Sequence, residues 1–235
     1  MPENKRDFET EYQLKDKLAD IYYKTANFAE AERLRNELLQ NANQKNNEET
    51  AHQINELALV YDSQGKYDEA IELYQQAIAI AEKTIGKEHP NYASGLNNLA
   101  GVYEPQGKYD EAIELYQKAI AIAEKTIGKE HPAYAIRLNN LAGVYRLQGK
   151  YDEAIELYQQ AIAIDEKTIG KEHPNYAIDW NGLARVYKSQ GKYNEALQMF
   201  EEAVQILVKV LGENHPSTQR VKGNLESCRE AAGRK

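Results

Sequence analysis

The sequence predicts an all-α solenoid of stacked helix pairs, and three observations carry that expectation. The 42-residue block His89–Glu130 returns with seven changes as His131–Glu172, recognisably as His173–Asn214, and more loosely as Asn47–Glu88. The His-Pro pairs at His89, His131, His173 and His215, and the glycines Gly65, Gly107, Gly149 and Gly191, keep the same step. Between these markers apolar residues recur at spacings of three and four, the period of a helix with one buried face. A fixed period of this length marks an array whose units pack only on their neighbours.

Residues 1–7 are charged and are expected to fray. Phe8 to about Ala26 reads as the first helix, with Tyr12, Leu18, Ala19 and Tyr22 on one face. Asn27 interrupts, and 28–42 forms the partner helix with Ala31, Leu34, Leu38 and Leu39 inward. This pair aligns with the next at an offset of 39, because Asn41–Glu49 replaces the IGKEHP connector. A divergent first unit is expected of a terminal repeat.

The later units share one plan, seen in the third. His89-Pro90 opens helix A, since proline suits the first turn, where its missing N–H has no partner to lose. Tyr92, Leu96, Leu99, Ala100 and Tyr103 form its apolar stripe. Gln106-Gly107-Lys108 is the turn, with Gly107 supplying the left-handed conformation that ends a helix. Helix B runs from Tyr109 to about Ile127, with Ala112, Ile113, Tyr116, Ala119, Ile120 and Ala123 inward, and Gly128 stops it. The paired alanines Ala100 and Ala112 let the two axes approach. Pro105, in the last turn of its helix A, should end that helix early or bend it. After His215-Pro216 a last helix carries Val221, Leu225 and Cys228 on one narrow stripe, suited to capping the array. The plan is one solenoid over 1–235, with repeats at 8–46, 47–88, 89–130, 131–172 and 173–214 and a capping helix at 215–232.

Charged residues make up 28% of the chain and apolar ones 42%, a balance that suits a thin array with much surface. The net charge of −8 argues against a nucleic-acid partner, whose binding rests on clustered Lys and Arg. No apolar run approaches the roughly 18 residues of a membrane span, and the N-terminus lacks the apolar core of a secretory signal. A soluble, cytoplasmic protein with no membrane contact is expected. One cysteine, Cys228, excludes an internal disulfide and reads as a small packed hydrophobe.

No enzymatic constellation emerges and no cofactor is expected. Stacked repeats hold equivalent histidines about 10 Å apart at least, so the four His-Pro histidines cannot share a zinc ion; they should cap helix A. IGKEH lacks a phosphate-loop motif. The acidic pairs Asp110-Glu111 and Asp152-Glu153 suit the positive end of helix B.

The motifs LNNLAGVY (96–103 and 138–145), QGKYDEAIELY (106–116 and 148–158) and the EKTIGKEHP connectors resemble the tetratricopeptide repeat. The likeness is to the 42-residue kind found in kinesin light chains and in nephrocystin-like and prokaryotic arrays, over roughly residues 8–230. The resemblance implies a right-handed superhelix, helix A lining the concave face and helix B the convex one. It also implies that an extended peptide lies in the concave groove, its backbone held by helix-A side-chain amides. The matching residues are Asn55, Asn97, Asn139 and Asn181; the first repeat has Asp16 instead.

The repeats add an argument of their own. The seven differences between the third and fourth units are Asn91/Ala133, Ser94/Ile136, Gly95/Arg137, Glu104/Arg146, Pro105/Leu147, Lys118/Gln160 and Ala123/Asp165. Five lie on helix A and outside its predicted apolar stripe, so the frame is constant while the groove varies; drift at exposed positions is the alternative. The groove is acidic near its start (Asp16, Asp20, Glu56, Asp62) and basic near its end (Arg137, Arg146, Arg185, Lys188), with Asp179 an exception. Gly101 and Gly143 should leave shallow pockets beside Asn97 and Asn139. The expected partner is a protein segment or linear peptide, acidic where it faces the fourth and fifth repeats. A structural or self-assembling module, or an interaction domain of a larger signalling protein, is the second reading, and the exposed ends would make it a weak homo-oligomer.

Overall fold

The computed structural model describes residues 3–42 and 47–233, with side chains from Thr10 onward. Met1 and Pro2, residues 43–46 of the Asn41–Glu49 connector, and Arg234 and Lys235 lie outside the described residues. Among those described there are eleven helices and no strand. The A helices are α1 (Glu3–Lys24), α3 (Glu48–Ser63), α5 (Pro90–Tyr103), α7 (Pro132–Leu147) and α9 (Pro174–Ser189); the B helices are α2 (Phe28–Ala42), α4 (Tyr67–Thr84), α6 (Tyr109–Thr126), α8 (Tyr151–Thr168) and α10 (Tyr193–Leu211); α11 (Pro216–Gly233) follows. The first helix thus begins at Glu3, ahead of the Phe8 start read from the sequence.

The chain forms two compact units, Met1–Glu111 and Ala112–Lys235, each built of consecutive helices packed on one another. In the first, α1 packs on α2, α2 on α3, α3 on α4 and α4 on α5; in the second, α7 to α11 continue the same scheme.

Local chemistry explains the boundaries. His89, His131, His173 and His215 cap their helices, each Nδ1 accepting from the backbone N–H two residues on at 3.0–3.2 Å. This satisfies one of the donors a helix start leaves open. The turn glycines Gly65, Gly107, Gly149 and Gly191 have φ between +72° and +77°. The following lysines, Lys66, Lys108, Lys150 and Lys192, lie 4.7–5.5 Å above the rings of Tyr61, Tyr103, Tyr145 and Tyr187, so the QGKY turn carries a cation–π contact in each of these pairs. Pro105 acts as expected: α5 has 14 residues, where α7 and α9 have 16.

The core follows the alanines. Ala142 and Ala154 are fully buried in one cluster with Tyr158, Leu183 and Val186. Val221, Leu225 and Cys228 of α11 pack on Phe200 and Leu207 of α10, so the last helix covers the end of the fifth pair. Helix A buries a wider face than its predicted stripe: Ala93, Gly95 and Val102 are buried in α5, and Arg137 and Asp179 at the Gly95 position of α7 and α9. The comparison of repeats puts that position in the variable, solvent-facing set; it packs between helices instead. Leu18 departs the other way, 39% exposed beside Leu14 (62%) and Ile21 (54%) on a face of α1 that no helix of the first unit covers.

Candidate functional site

In the first unit Asn55 and Asn97 are half-buried on α3 and α5. Asn98 Nδ2 donates to Asn55 Oδ1 at 3.2 Å, and Asn55 Nδ2 donates to Glu56 Oε1 at 3.2 Å. In the second unit Asn139 is half-buried and Asn181 is buried, 5% exposed. Asn139 Nδ2 donates to Asp179 Oδ1, and Asn181 Oδ1 accepts from Asn224 Nδ2 at 2.8 Å. The carboxamides of Asn55 and Asn139 therefore link neighbouring A helices, and that of Asn181 links α9 to α11. Each amide offers two donors and two acceptor lone pairs, so the bonds found at Asn55, Asn139 and Asn181 do not exhaust them.

Three of the four predicted cations meet at one place. Arg146 from the end of α7, Arg185, Lys188 and Ser189 from α9, Tyr193 and Phe200 from α10 and Asn224 from α11 line a cleft of about 330 Å³. Lys188 Nζ donates to Ser227 Oγ at 2.7 Å, which holds the ammonium near the cleft. The fourth cation, Arg137, does not join them. It is 6% exposed, and its Nη1 donates to the Ala133 carbonyl at 2.6 Å. Burial pushes its pKa down.

The acidic start of the predicted groove is organised by a residue that the apolar periodicity does not single out. Arg35 of α2, 2% exposed, pairs with Asp16 at 2.5 Å, with Asp20, and with Glu56 at 3.7 Å, and its Nη1 donates to Gln53 at 3.1 Å. Burial disfavours the Asp16 carboxylate, yet hydrogen bonds from Gln53 and Arg35 and the guanidinium charge bring its pKa below the usual value. Arg35 stands where the later B helices have Tyr74, Tyr116, Tyr158 and Phe200. A signal does exist in the sequence: at the 39-residue offset, Asp replaces Asn and Arg replaces Tyr together. Asp62 stands apart from this cluster, its pKa raised by burial.

Those tyrosines also alter the expected pockets. A Cβ on Gly143 would lie 3.6 Å from the Tyr158 hydroxyl, so that oxygen occupies the space expected to be a shallow pocket. A Cβ on Gly182 would overlap Cε1 of the same ring. Tyr158 therefore reaches between α7 and α9, and Gly182, where α5 and α7 have asparagine, makes room for it.

Two buried carboxylates lie between α8 and α9. Asp165 is 1% and Asp179 3% exposed, and one oxygen of each has no hydrogen-bond partner among the described residues. Burial pushes the Asp179 pKa up to about 8; the Asn139 hydrogen bond opposes this and the Asp165 charge adds to it. Burial raises Asp165 too, with His173 working against it. Among the described residues no group of three His, Cys, Asp or Glu could hold a metal ion, and no helix is long and apolar enough to cross a membrane.

The sequence matches the family described as Tetratricopeptide repeat over residues 11–83, 49–104, 91–167, 135–207 and 178–235. No curated protein matches it. Among solved structures it resembles the nearly identical TPR-like repeats of a Podosopora anserina protein described as a kinesin light chain. A single-substitution form of that protein is 32% identical, with a TM-score of 0.67 over 85% of this chain and 95% of that one. The other form gives 32% identity and a TM-score of 0.65 over 84% and 95%. BtubC (BKLC) from P. vanneervenii shares the fold at 24% identity, with a TM-score of 0.67 over 90% of this chain and 84% of that one.

Proposed function

The chain belongs to the tetratricopeptide repeat family, and from that premise we propose that it is a non-enzymatic cytoplasmic adaptor holding an extended, acidic peptide segment of a partner protein against its A helices. Tetratricopeptide repeats are in general protein-interaction scaffolds. The observation that supports the acidic ligand is the convergence of Arg146, Arg185 and Lys188 on one cleft. Arginine offers a carboxylate two parallel N–H donors, and a half-buried guanidinium is less screened than one in open water. In each unit the half-buried carboxamides, Asn55 and Asn97 in the first and Asn139 in the second, would hold a ligand backbone, since an amide can both donate to a peptide carbonyl and accept from its N–H; Asn181, 5% exposed and bonded to Asn224, would brace α9 on α11. Arg137, buried on the Ala133 carbonyl, would serve by shaping α7.

The test is the affinity of a capped, glutamate-rich dodecapeptide, measured by fluorescence anisotropy at low and moderate salt. Arg146→Glu with Arg185→Glu should weaken binding by about ten-fold or more, a change of about 1.4 kcal/mol, and flatten its salt dependence. Unchanged affinity overturns the charge assignment.

The exposed row Leu14, Leu18 and Ile21 on α1 favours one second reading, weak end-to-end association of copies. A molar mass that rises with concentration, and no longer does so in Ile21→Lys, supports it; a constant monomer mass rejects it.

A further inference from the structure

We propose that the cleft opened by Gly95, between α3, α4 and α5 of the first unit, is a recognition pocket for one basic side chain, lysine or arginine, of an extended peptide. This deepens the peptide-binding reading and rests on it.

The cleft lies where a side chain is missing. At the matching position the A helices that follow a helix B carry Gln53 (α3), Arg137 (α7) and Asp179 (α9), and α11 carries Val221. All four are buried, at 0%, 6%, 3% and 0% exposure, so this side chain ordinarily fills the gap against the preceding helix B. Gly95 leaves it open as a cleft of about 240 Å³. A Cβ there would lie 3.0 Å from Ile78 Cγ1, which forms part of the floor.

The lining is divided by chemistry. The floor is Ala77, Ile78, Ala81 and Ile85 from α4 and its C-cap; the rim is Glu48, His52, Asn55 and Glu56 from α3 with Asn91 and Asn98 from α5. No lysine or arginine lines it among the described residues. Glu48 Oε1 accepts from Asn91 at 2.9 Å. Glu56 shares Arg35 with Asp16 and Asp20, so one guanidinium faces three carboxylates. His52 Nδ1 lies 4.0 Å from Glu56.

A lysine or arginine matches both halves: its methylene stem covers the apolar floor while its charged head reaches the rim. The head donates to carboxylates and to amide oxygens, all of which accept. An acidic side chain would face two like charges there. A purely apolar one would take water from Glu48 and Glu56 without adding a donor in its place, which is unfavourable. In the second unit the matching space is closed, because Asp165 replaces the alanine of α4 and Asp179 the glycine of α5. The preference for a cation therefore belongs to the second and third repeats.

The test titrates the ¹⁵N-labelled full chain with three capped Ser/Gly hexapeptides that carry arginine, norleucine or glutamate at one central position. The arginine peptide should shift the amides of Gly95 and Asn98 and the side chain of Asn55, binding about ten-fold tighter than the norleucine peptide. Glu48→Gln with Glu56→Gln should remove most of that preference. Gly95→Arg, which copies the fourth repeat, should abolish the shifts; if thermal melting shows that it does not fold, the glutamine pair carries the test. Equal binding of arginine and norleucine, no shift with any peptide, or shifts that persist in folded Gly95→Arg overturn the proposal. Loss of the Gly95 effect with the glutamate-rich dodecapeptide still binding the second unit refutes this pocket alone. The converse result refutes only the acidic-ligand assignment.

Discussion

Arg35 and Asp179 show how single residues set opposite responses to pH in the two units. Asp16 is held ionised by Gln53 and Arg35 against the pull of burial, with its pKa below the usual 3.8. Its contribution is therefore present above the unfolded pKa and is lost as pH falls through the lower folded value. Asp179 has its pKa raised to about 8 by burial. The folded state binds a proton that the unfolded chain releases near 3.8, so this contribution is full below that value and is lost as pH rises toward 8. We expect Asp179→Asn to raise stability at about pH 8.5 by on the order of 1–3 kcal/mol and to leave it nearly unchanged at about pH 4, as read by urea unfolding. An equal effect at both pH values would contradict the assigned protonation. Replacing Arg35 by leucine should cost about 3–5 kcal/mol, because Asp16, Asp20 and Glu56 would lose their shared counter-ion. A loss well below this in urea unfolding would show that water already neutralises the cluster. Apolar periodicity reveals neither device, although the paired change at Asp16 and Arg35 is visible at the 39-residue offset. Arg35 lies in a divergent repeat; Asp179 occupies a position that holds Gln53, Gly95 and Arg137 elsewhere and reads as surface, while Asp165 replaces the inward Ala123 without a partner that the sequence names.

Within the helices, the periodic features are legible because each has a local cause. The histidine caps, the positive-φ glycines and the early end at Pro105 all follow from backbone chemistry within a few residues. What periodicity misses is the second buried face of helix A, because a central A helix packs on its own helix B and on the preceding one. A stripe drawn for one partner leaves out Ala93, Gly95 and Val102. The two glycines near Tyr158 separate these effects. Gly182→Ala should destabilise by about 1–3 kcal/mol, since its Cβ would overlap the ring. Gly143→Ala meets the hydroxyl at an ordinary 3.6 Å and should be neutral or stabilise by up to about 1 kcal/mol through helix propensity. Thermal unfolding of the two variants decides this, and equal losses would mean that the ring moves freely. His131→Ala should cost about 1 kcal/mol by uncapping α7, seen as faster amide exchange in its first turn; unaltered exchange there would show the cap to be dispensable.

At the scale of the molecule, a constant frame carries a changing surface. The A/B alanines, turn glycines and His-Pro caps recur, while helix-A positions alter between repeats and set charge locally. The first unit has a carboxylate-rimmed cleft at Gly95, and the second a cleft lined by two arginines and a lysine. The architecture can be read almost entirely from the repeat, whereas the distribution of charge can be read only in outline. Sequence alone groups Arg137 with the other cations, and it does not reveal that Asn181 is buried. The central claim, that the half-buried carboxamide of the second unit and the cations near it hold an acidic peptide, is tested most directly by the side-chain carboxamide resonance of Asn139 during titration with the glutamate-rich dodecapeptide. That signal should shift together with the amides of Arg146 and Arg185, and Asn139→Ala should weaken binding by about ten-fold. Binding that leaves the Asn139 carboxamide unmoved, with full affinity in Asn139→Ala, would contradict that claim.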